Sequence, residues 1–373
     1  MIRKGVVVLA AALLAACGGG GDAGQAKTAE QPKGGAPAGD GTIRIAVIAK
    51  SSNNPVFLAA RTGAEAAARE ISARPGGPKV EIMWLTPPQE DGQVQAQRIG
   101  QAVNEGANAV LISASDAGKV AGAIDDAVAR GVEVMTFDSD VPQSKRFAFY
   151  GVDDIEIGRT VMRELAVQLN ERGSVAILAG NQNAPNLQRR AQGVREEAAK
   201  HPGIRVVDTF NHIETPQDAA AEVIRVNNAY PEVTGWAMVG GWPLFTQTLL
   251  TDLDPARTKV VAVDALPAQL AYVEKGIAPV LVAQPVYQWG YVGVQNIVTK
   301  LQGGTVAQRI PMEPVRVTKD NLNQWAAQLR DWGFTDVPAR FLTGAPAASA
   351  PAQSTAAPAA SAPATTAAPA ARP

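Results

Sequence analysis

Short apolar runs alternate with longer amphipathic stretches along the middle of the chain. Nine runs rich in Val, Ile and Ala predict strands, at 43–49, 80–85, 109–113, 132–138, 174–180, 204–210, 236–240, 259–264 and 280–284. The stretches between them, for example 57–70, 93–105, 119–130 and 155–170, carry apolar residues at the helical spacing i, i+3 and i+4. Near-continuous apolar strands that alternate with such helices predict parallel sheets covered on both faces. So many strand–helix units exceed one compact open sheet, and we predict an α/β fold with two doubly wound lobes.

The two ends of the chain lack this alternation. Arg3 and Lys4 precede an apolar run at 6–16, which is too short to span a bilayer but typical of a secretory signal. The residues Leu14-Ala15-Ala16-Cys17 resemble the bacterial lipoprotein signal, the lipobox, which implies cleavage before Cys17 and acylation of its thiol. We expect residues 1–16 to be a signal peptide and Cys17 to carry a lipid anchor. The alternative is an ordinary secretory peptide in which the cysteine stands by chance.

Two further segments have the composition of unfolded chain. Residues 17–41 are mostly Gly, Ala, Pro, Gln and Lys, and we predict that they form a flexible tether. Residues 344–373 are almost entirely Ala, Pro, Ser and Thr, and we predict a disordered tail there. This tail could be O-glycosylated or act as a spacer in the cell wall, or it could have no function of its own.

Composition excludes several classes of function. The 34 Lys and Arg residues nearly balance the 35 Asp and Glu residues, which argues against nucleic acid as a partner. With one cysteine and two histidines, His201 and His212, we predict no metal site. Neither GxGxxG after a strand nor a P-loop is present, so no nucleotide cofactor is expected, and we predict no cofactor of any kind. A hydrolase is disfavoured because a catalytic triad needs a nucleophile beside a histidine base, and the chain has no GxSxG motif that would present such a nucleophile.

Polar residues follow many of the predicted strands. The loops read SSNN, SASD, DSD, GNQN, GGWP and DAL in chain order. In open α/β sheets, ligands bind outside the carboxyl ends of the strands. These loops are therefore the first candidates for a ligand site.

The stretch at 45–70 reads IAVIAKSSNNPVFLAARTGAEAAARE and resembles the periplasmic sugar-binding proteins of the ribose-binding type, which share their fold with LacI-type effector domains. The resemblance continues in order through AVLISASDAGKV, VEVMTFDSD, GVDDIEIGR, QRRAQGVREE, VVAVDALPAQLAYVEKG and LVAQPVYQWGYVGV, over residues 42–318. It implies two Rossmann-like lobes, joined by a hinge of three crossovers, that close on a sugar. An importing ABC transporter is the usual recipient of that sugar.

The resemblance also implies the division of the chain between the lobes. Crossovers are expected near 152–153, 284–285 and 311–313. The N-terminal lobe would then comprise 42–152 and 285–311, and the C-terminal lobe would comprise 153–284 and 312–343.

Four candidate ligand-binding residues fall in the N-terminal lobe. Asn54 matches the family's sugar-binding Asn, although the same residue before Pro55 suits a helix N-cap. Phe57 matches an aromatic residue that faces the sugar, or it belongs to the core. Asp138 matches an Asp that binds two hydroxyl groups, and its alternative is to cap a turn. Ser113 stands where the family has an Asn.

Four more candidates fall in the C-terminal lobe. Arg190 matches an Arg that binds the sugar, with a solvated helix face as the alternative. Asp264 and Gln284 match polar residues at strand ends, and Trp242 adds a stacking face unless it only packs at the lobe surface. Four departures, Val56, Ser139, Gly241 and Trp242, put ribose itself in doubt, so another pentose, a hexose or a polyol is equally expected.

Together these features predict a monomeric, extracytoplasmic solute-binding lipoprotein that captures a monosaccharide for an ABC import permease. It would lie in the periplasm or at the cell surface, held to the membrane only by its lipid. The alternatives are a ligand-sensing subunit for a chemoreceptor or sensor kinase, and a binder of a polyol, nucleoside or furanosyl signal. A LacI-like regulator is excluded because the signal peptide occupies the place of the DNA-binding helices.

Overall fold

Two six-stranded sheets form the framework of residues 41–343, which are the residues that this computed structural model describes. In chain order the strands are β1 (Ile43–Ile48), β2 (Val80–Trp84), β3 (Ala109–Ile112), β4 (Glu133–Phe137), β5 (Ala148–Gly151), β6 (Arg172–Ala179), β7 (Gly203–Asn211), β8 (Val233–Met238), β9 (Lys259–Val263), β10 (Val280–Ala283), β11 (Arg309–Pro311) and β12 (Val315–Val317). The helices are α1 (Pro55–Ala73), α2 (Gly92–Asn104), α3 (Ala117–Ala129), α4 (Asp154–Gln168), α5 (Pro185–Ala198), α6 (Pro216–Ala229), α7 (Leu270–Lys275), α8 (Val286–Leu301) and α9 (Leu322–Asp331).

The two sheets have corresponding strand orders. The first runs β11-β5-β4-β3-β1-β2, and the second runs β12-β10-β9-β8-β6-β7. Strands pair in parallel except for β12, which is antiparallel to β10. The first sheet, with α1, α2, α3 and α8, is called here the first lobe, and the second sheet, with α4 to α7 and α9, the second lobe. The chain passes between the sheets after β5, after β10 and between β11 and β12. The predicted α/β fold with two lobes is confirmed.

All nine predicted strands are present, and three short strands were not predicted. The strands that were not predicted are β5, β11 and β12, which have four, three and three residues. They lie beside the crossovers. The three-residue strands β11 and β12, RIP and VRV, show no apolar run, whereas β5 reads AFYG, an apolar run that was not predicted as a strand. The sheet order places them together at one side of the two lobes.

A helix pair in each lobe crosses so closely that only glycine fits at the contact. A Cβ atom on Gly290 of α8 would lie 1.8 Å from the carbonyl oxygen of Ala60 in α1. In the second lobe, a Cβ atom on Gly158 of α4 would lie 1.9 Å from the carbonyl oxygen of Arg190 in α5. Since α4 and α8 both begin just after a crossover, these contacts fix the two helices that follow the crossovers against their own lobes.

No helix among residues 41–343 is long and apolar enough to cross a membrane. The predictions for the signal peptide, for Cys17, for the tether up to residue 40 and for the tail from residue 344 concern residues outside the described range.

Candidate functional site

Two aspartates occupy equivalent positions in the two lobes. Asp138 follows β4 and Asp264 follows β9, the third strand in each sheet order. Both residues have left-handed φ angles, +54° and +71°, which Asp tolerates better than most residues. The N–H group of Asp138 donates to the carbonyl of Tyr150 at 3.1 Å, and that of Asp264 donates to Val282 at 2.9 Å. Each aspartate is therefore fixed by the neighbouring strand, β5 or β10, at the carboxyl edge of its sheet.

Asp138 links the two lobes directly. Ser113 Oγ, from its own lobe, donates to Oδ2 at 2.7 Å, and Asn186 Nδ2, from the second lobe, donates to Oδ1 at 3.0 Å. Lys50 Nζ lies 3.7 Å from Oδ2 and donates to Asn186 Oδ1 at 3.0 Å. Arg190 Nη2, also from the second lobe, lies 3.6 Å from Asp138 Oδ1. One carboxylate thus meets donors from both sides of the cleft.

Arg190 organises the second lobe's side of the cleft. Its Nε donates to Asp154 Oδ1 at 2.9 Å, its Nη1 to the carbonyl of Val239 at 3.2 Å, and its Nη2 to Gln284 Oε1 at 2.9 Å. Gln284 Nε2 donates in turn to Asp264 Oδ1 at 2.9 Å. Because Arg190 is only 2% exposed, it does not lie on a solvated helix face.

These residues form one buried set, here named the central network. It contains Lys50, Ser113, Asp138, Asp154, Asn186, Arg190, Asp264 and Gln284, all of which are buried. Burial raises the pKa of Asp154 to about 6 although Arg190 favours its ionised form. Burial likewise raises the pKa of Asp264 against the attraction of Arg190. For Lys50, burial alone would lower the pKa, but the attraction of Asp138, Glu214 and Glu90 outweighs it and raises the pKa.

Asn54 and Phe57 lie at the start of α1, outside the hydrogen bonds that connect the central network. Asn54 Oδ1 accepts from the N–H of Val56 at 3.2 Å and so caps the helix. The Phe57 ring packs against Phe137 and Trp289, with ring centroids 6.5 and 6.1 Å away. Asn54 is thus a helix N-cap and Phe57 belongs to the core, as their alternative interpretations predicted. A contact of either residue with a ligand stays a prediction.

Trp242 belongs to a second group at the outer edge of the cleft. Its Nε1 donates to Glu214 Oε2 at 3.1 Å, and its ring meets the edge of His212. Asn181 donates from its backbone N–H to Glu214 Oε1 at 2.9 Å and from Nδ2 to Glu90 Oε2 at 3.4 Å. We name Glu90, Asn181, Glu214 and Trp242 the mouth cluster.

Sequence reasoning missed several residues of both groups. Asn186 could have been found, because Pro185-Asn186 at the start of α5 mirrors Asn54-Pro55 at the start of the equivalent helix α1. Lys50 stands two residues after the end of the buried strand β1, which is an unusual place for a charge. Glu90 and Glu214 carried no signal that separates them from solvated loop carboxylates.

The described residues offer no evident site for a metal ion. Within residues 41–343, no three His, Cys, Asp or Glu side chains are grouped so that they could hold a metal ion. The fold and the central network together define a two-lobed protein whose polar residues converge between the lobes.

The chain belongs to the periplasmic binding protein domain family, whose model matches residues 45–305. It is 28% identical over 167 residues to the ribose import binding protein of Bacillus subtilis, which covers 44% of this chain and 52% of that protein. It is 26% identical over 194 residues to the D-apiose import binding protein of Actinobacillus succinogenes, covering 51% and 59%. The chain therefore spans about half the length of these two relatives.

A solved structure shows similarity over a longer range. The ABC transporter solute-binding protein of Burkholderia graminis, in complex with D-arabinose, superposes with a TM-score of 0.69 at 28% identity, covering 75% of this chain and 96% of that one. The predicted resemblance to periplasmic sugar-binding proteins of the ribose-binding type is confirmed. These relatives are binding proteins, which confirms the prediction that the chain is not an enzyme. Membership of this family implies an extracytoplasmic location.

Proposed function

We propose that this protein captures a neutral monosaccharide or polyol between its lobes and delivers it to an ABC import permease. The observation that carries the proposal is the central network, in which Asp138 of the first lobe meets Asn186 and Arg190 of the second. The names of the relatives support it, since those proteins are import binding proteins for ribose and D-apiose and a solute-binding protein in complex with D-arabinose.

The polar character of the cleft suits a ligand with many hydroxyl groups. A buried hydroxyl costs free energy unless it forms hydrogen bonds, and the central network offers both donors and carboxylate acceptors. A ligand between the lobes would exchange the direct contacts of Asp138, Asn186 and Gln284 for contacts of its own. It would stabilise the closed form only through contacts that the open form lacks.

The charge balance of the cleft favours a neutral ligand over an acidic one. Lys50 and Arg190 are the cations of the central network and mouth cluster, while the carboxyl groups there belong to Glu90, Asp138, Asp154, Glu214 and Asp264. A sugar acid or sugar phosphate would add a further negative charge to a buried site that already holds an excess of carboxyl groups. We therefore expect such ligands to be rejected.

A thermal-shift panel tests this function. The chain with Cys17→Ser is unfolded and refolded to remove bound ligand, then melted with pentoses, hexoses, polyols, nucleosides, sugar acids and sugar phosphates. A ligand at 1,000 times its dissociation constant adds about 4 kcal/mol to the free energy of unfolding, which raises Tm by several degrees. A shift with a neutral sugar or polyol supports the proposal. A shift with only a nucleoside, or with only an acidic sugar, contradicts it.

We also infer that Cys17 anchors the protein to a membrane by a lipid. The apolar run before this sole cysteine supports the inference, and two or three acyl chains suffice for stable attachment. Growth with an alkyne-labelled fatty acid should label the wild-type protein and leave the Cys17→Ser variant unlabelled. An unlabelled wild-type protein, released in soluble form, would show instead that residues 1–16 act as an ordinary secretory signal.

A further inference from the structure

The mouth cluster joins the lobes at the point furthest from the hinge. Glu90 follows β2 and Glu214 follows β7, and these are the end strands of the two sheets. The strands beside the crossovers, β5 with β11 and β10 with β12, lie at the opposite ends. A contact at the mouth therefore has the longest lever arm against opening of the cleft.

The two glutamates face each other as acceptors. Asn181 donates to both, with its backbone N–H on Glu214 Oε1 at 2.9 Å and its Nδ2 on Glu90 Oε2 at 3.4 Å, so both carboxyl groups are held against the same residue. Trp242 holds the other oxygen of Glu214. Glu90 Oε1 is buried and has no donor. Two ionised carboxylates offer each other only acceptors and repel, so the direct interaction between Glu90 and Glu214 is attractive only when the pair holds a proton.

We propose that Glu90 and Glu214 form a proton-dependent latch across the mouth of the cleft. With one proton shared between them they hold the lobes together, and loss of that proton makes them repel and favours opening. The latch would act on any ligand in the cleft, so it does not depend on which ligand the protein carries.

The direction of the pH effect follows from the surroundings of Glu90. Burial raises its pKa well above the ordinary value, nearby Glu214 raises it further, and Lys50 opposes both. In an open form, water would solvate the Glu90 carboxylate, and the pKa of Glu90 would return toward its ordinary value. Closing therefore takes up a proton, so the closed form is favoured at low pH and loses this stabilisation as pH rises through the pKa of the closed form.

Other titratable and charged groups face the latch or share the cleft with it. His212 lies beside Trp242 and near Glu214, Glu222 and Asp218, and burial lowers its pKa. The remaining groups are Lys50, Asp138, Asp154, Arg190 and Asp264 of the central network. Each of these groups can also make closure depend on pH. Only the part of the pH dependence that disappears in a Glu90 or Glu214 variant is therefore ascribed to the latch.

Distance measurements between spin labels test the latch without any ligand. The full chain with Cys17→Ser has no other cysteine, so Glu105→Cys and Asn228→Cys place one label at the exposed end of α2 and one on exposed α6, the helices that follow β2 and β7. Pulsed electron paramagnetic resonance is recorded from pH 5 to pH 9. We expect the ratio of closed to open forms to fall as pH rises, by up to about tenfold per pH unit for one proton.

The variants decide between the latch and the other groups. Glu90→Gln supplies an amide N–H that can donate to Glu214, so this variant should stay closed with a much flatter pH profile. Glu214→Gln should flatten the pH profile in the same way, because its amide N–H can donate to Glu90. Glu81→Gln, an exposed residue of β2, is the matched control and should keep the wild-type profile. A wild-type distance that does not change with pH, or one profile shared by wild type and Glu90→Gln, would overturn the latch and leave the proposed ligand class untouched.

Discussion

Asp138 and Asp264 have the same place in their lobes but different surroundings. Both follow the third strand in their sheet order, adopt a left-handed φ and are fixed through the N–H group to the neighbouring strand. Asp138 accepts two side-chain hydrogen bonds and lies beside two cations. Asp264 accepts one, from Gln284. Equivalent backbone positions thus hold one carboxylate that accepts from side chains of both lobes and one that accepts only from a side chain of its own lobe.

The difference follows from the charges that each lobe supplies. Lys50, at the end of β1, compensates Asp138 within the first lobe. In the second lobe Arg190 is committed mainly to Asp154, so burial raises the pKa of Asp264. The substitution Asp→Asn keeps the side-chain shape and tolerates the left-handed backbone, so it can be made at both positions to separate charge from geometry.

The largest effect is expected from Asp138→Asn. This change leaves Lys50, which is 2% exposed, without its nearest counter-charge. Breaking a buried ion pair on one side costs about 3–5 kcal/mol, and we expect a loss of that order in the free energy of unfolding by urea. The double variant Asp138→Asn/Lys50→Met should regain most of it. If Asp138→Asn is as stable as the wild type, Lys50 does not depend on this carboxylate.

A second comparison of the lobes uses their helix crossings. Gly290→Ala and Gly158→Ala each bring a Cβ atom within 2 Å of a backbone oxygen, so the helices must separate. Overpacking of this kind costs about 1–3 kcal/mol, and thermal unfolding should show it in both variants. Gly158→Ala should also weaken ligand binding, because α5 carries Arg190.

The control for these variants is Gly100→Ala in α2. A Cβ atom there meets nothing within 4 Å, and Ala is the better helix former by about 0.5–1 kcal/mol. This variant should be as stable as the wild type or more so. An equal loss of stability at all three glycines would show that helix crossing is not the cause.

Asp264→Asn should leave stability unchanged or slightly raised, while ligand affinity falls. The Asn side chain can still accept from Gln284, and the cost of a buried charge is removed. A hydrogen bond to a charged acceptor contributes about 1.5–3 kcal/mol, so affinity for the sugar found by thermal shift should drop at least about tenfold. Calorimetric titration at constant pH measures this. Unchanged affinity would remove Asp264 from the ligand site.

The fold could be predicted because its strands are long enough to be read as apolar runs. In β9 the buried residues 260–263 follow one another without polar interruption, and in β1 only Arg44 interrupts the apolar run. The hinge strands could not be predicted in this way, since β11 and β12 have only three residues each and are held by pairing with distant strands.

The site could be predicted where a residue's position on a strand determines its role. Asp138 and Asp264 end apolar strands, so their place at the carboxyl edge follows from the alternation of strands and helices. The burial of Lys50 depends instead on Asn186, which lies 136 residues away on the opposite lobe. Glu90 and Glu214 likewise gain their environment only when the lobes meet, and no local pattern carries that information.

The smallest predicted effect concerns Asp154, which holds Arg190 in place. Burial raises the pKa of Asp154 to about 6, whereas an unfolded Asp titrates near 3.9. The folded state therefore binds more protons in this interval, and the free energy of unfolding should rise as pH falls from 7 to 5, by up to about 1.4 kcal/mol per pH unit for each proton. Asp264 and Glu90, whose pKa values burial also raises, act in the same direction.

Urea unfolding at several pH values between 5 and 8 isolates the contribution of Asp154. Asp154→Asn should reduce the slope of stability against pH, because it removes one of the groups that takes up a proton on folding. Asp153→Asn is the matched control, since Asp153 is exposed and caps α4, and Asn caps a helix equally well. It should keep the wild-type slope. If both variants keep that slope, Asp154 stays ionised in the folded protein, and the attraction of Arg190 outweighs the cost of burial at this position.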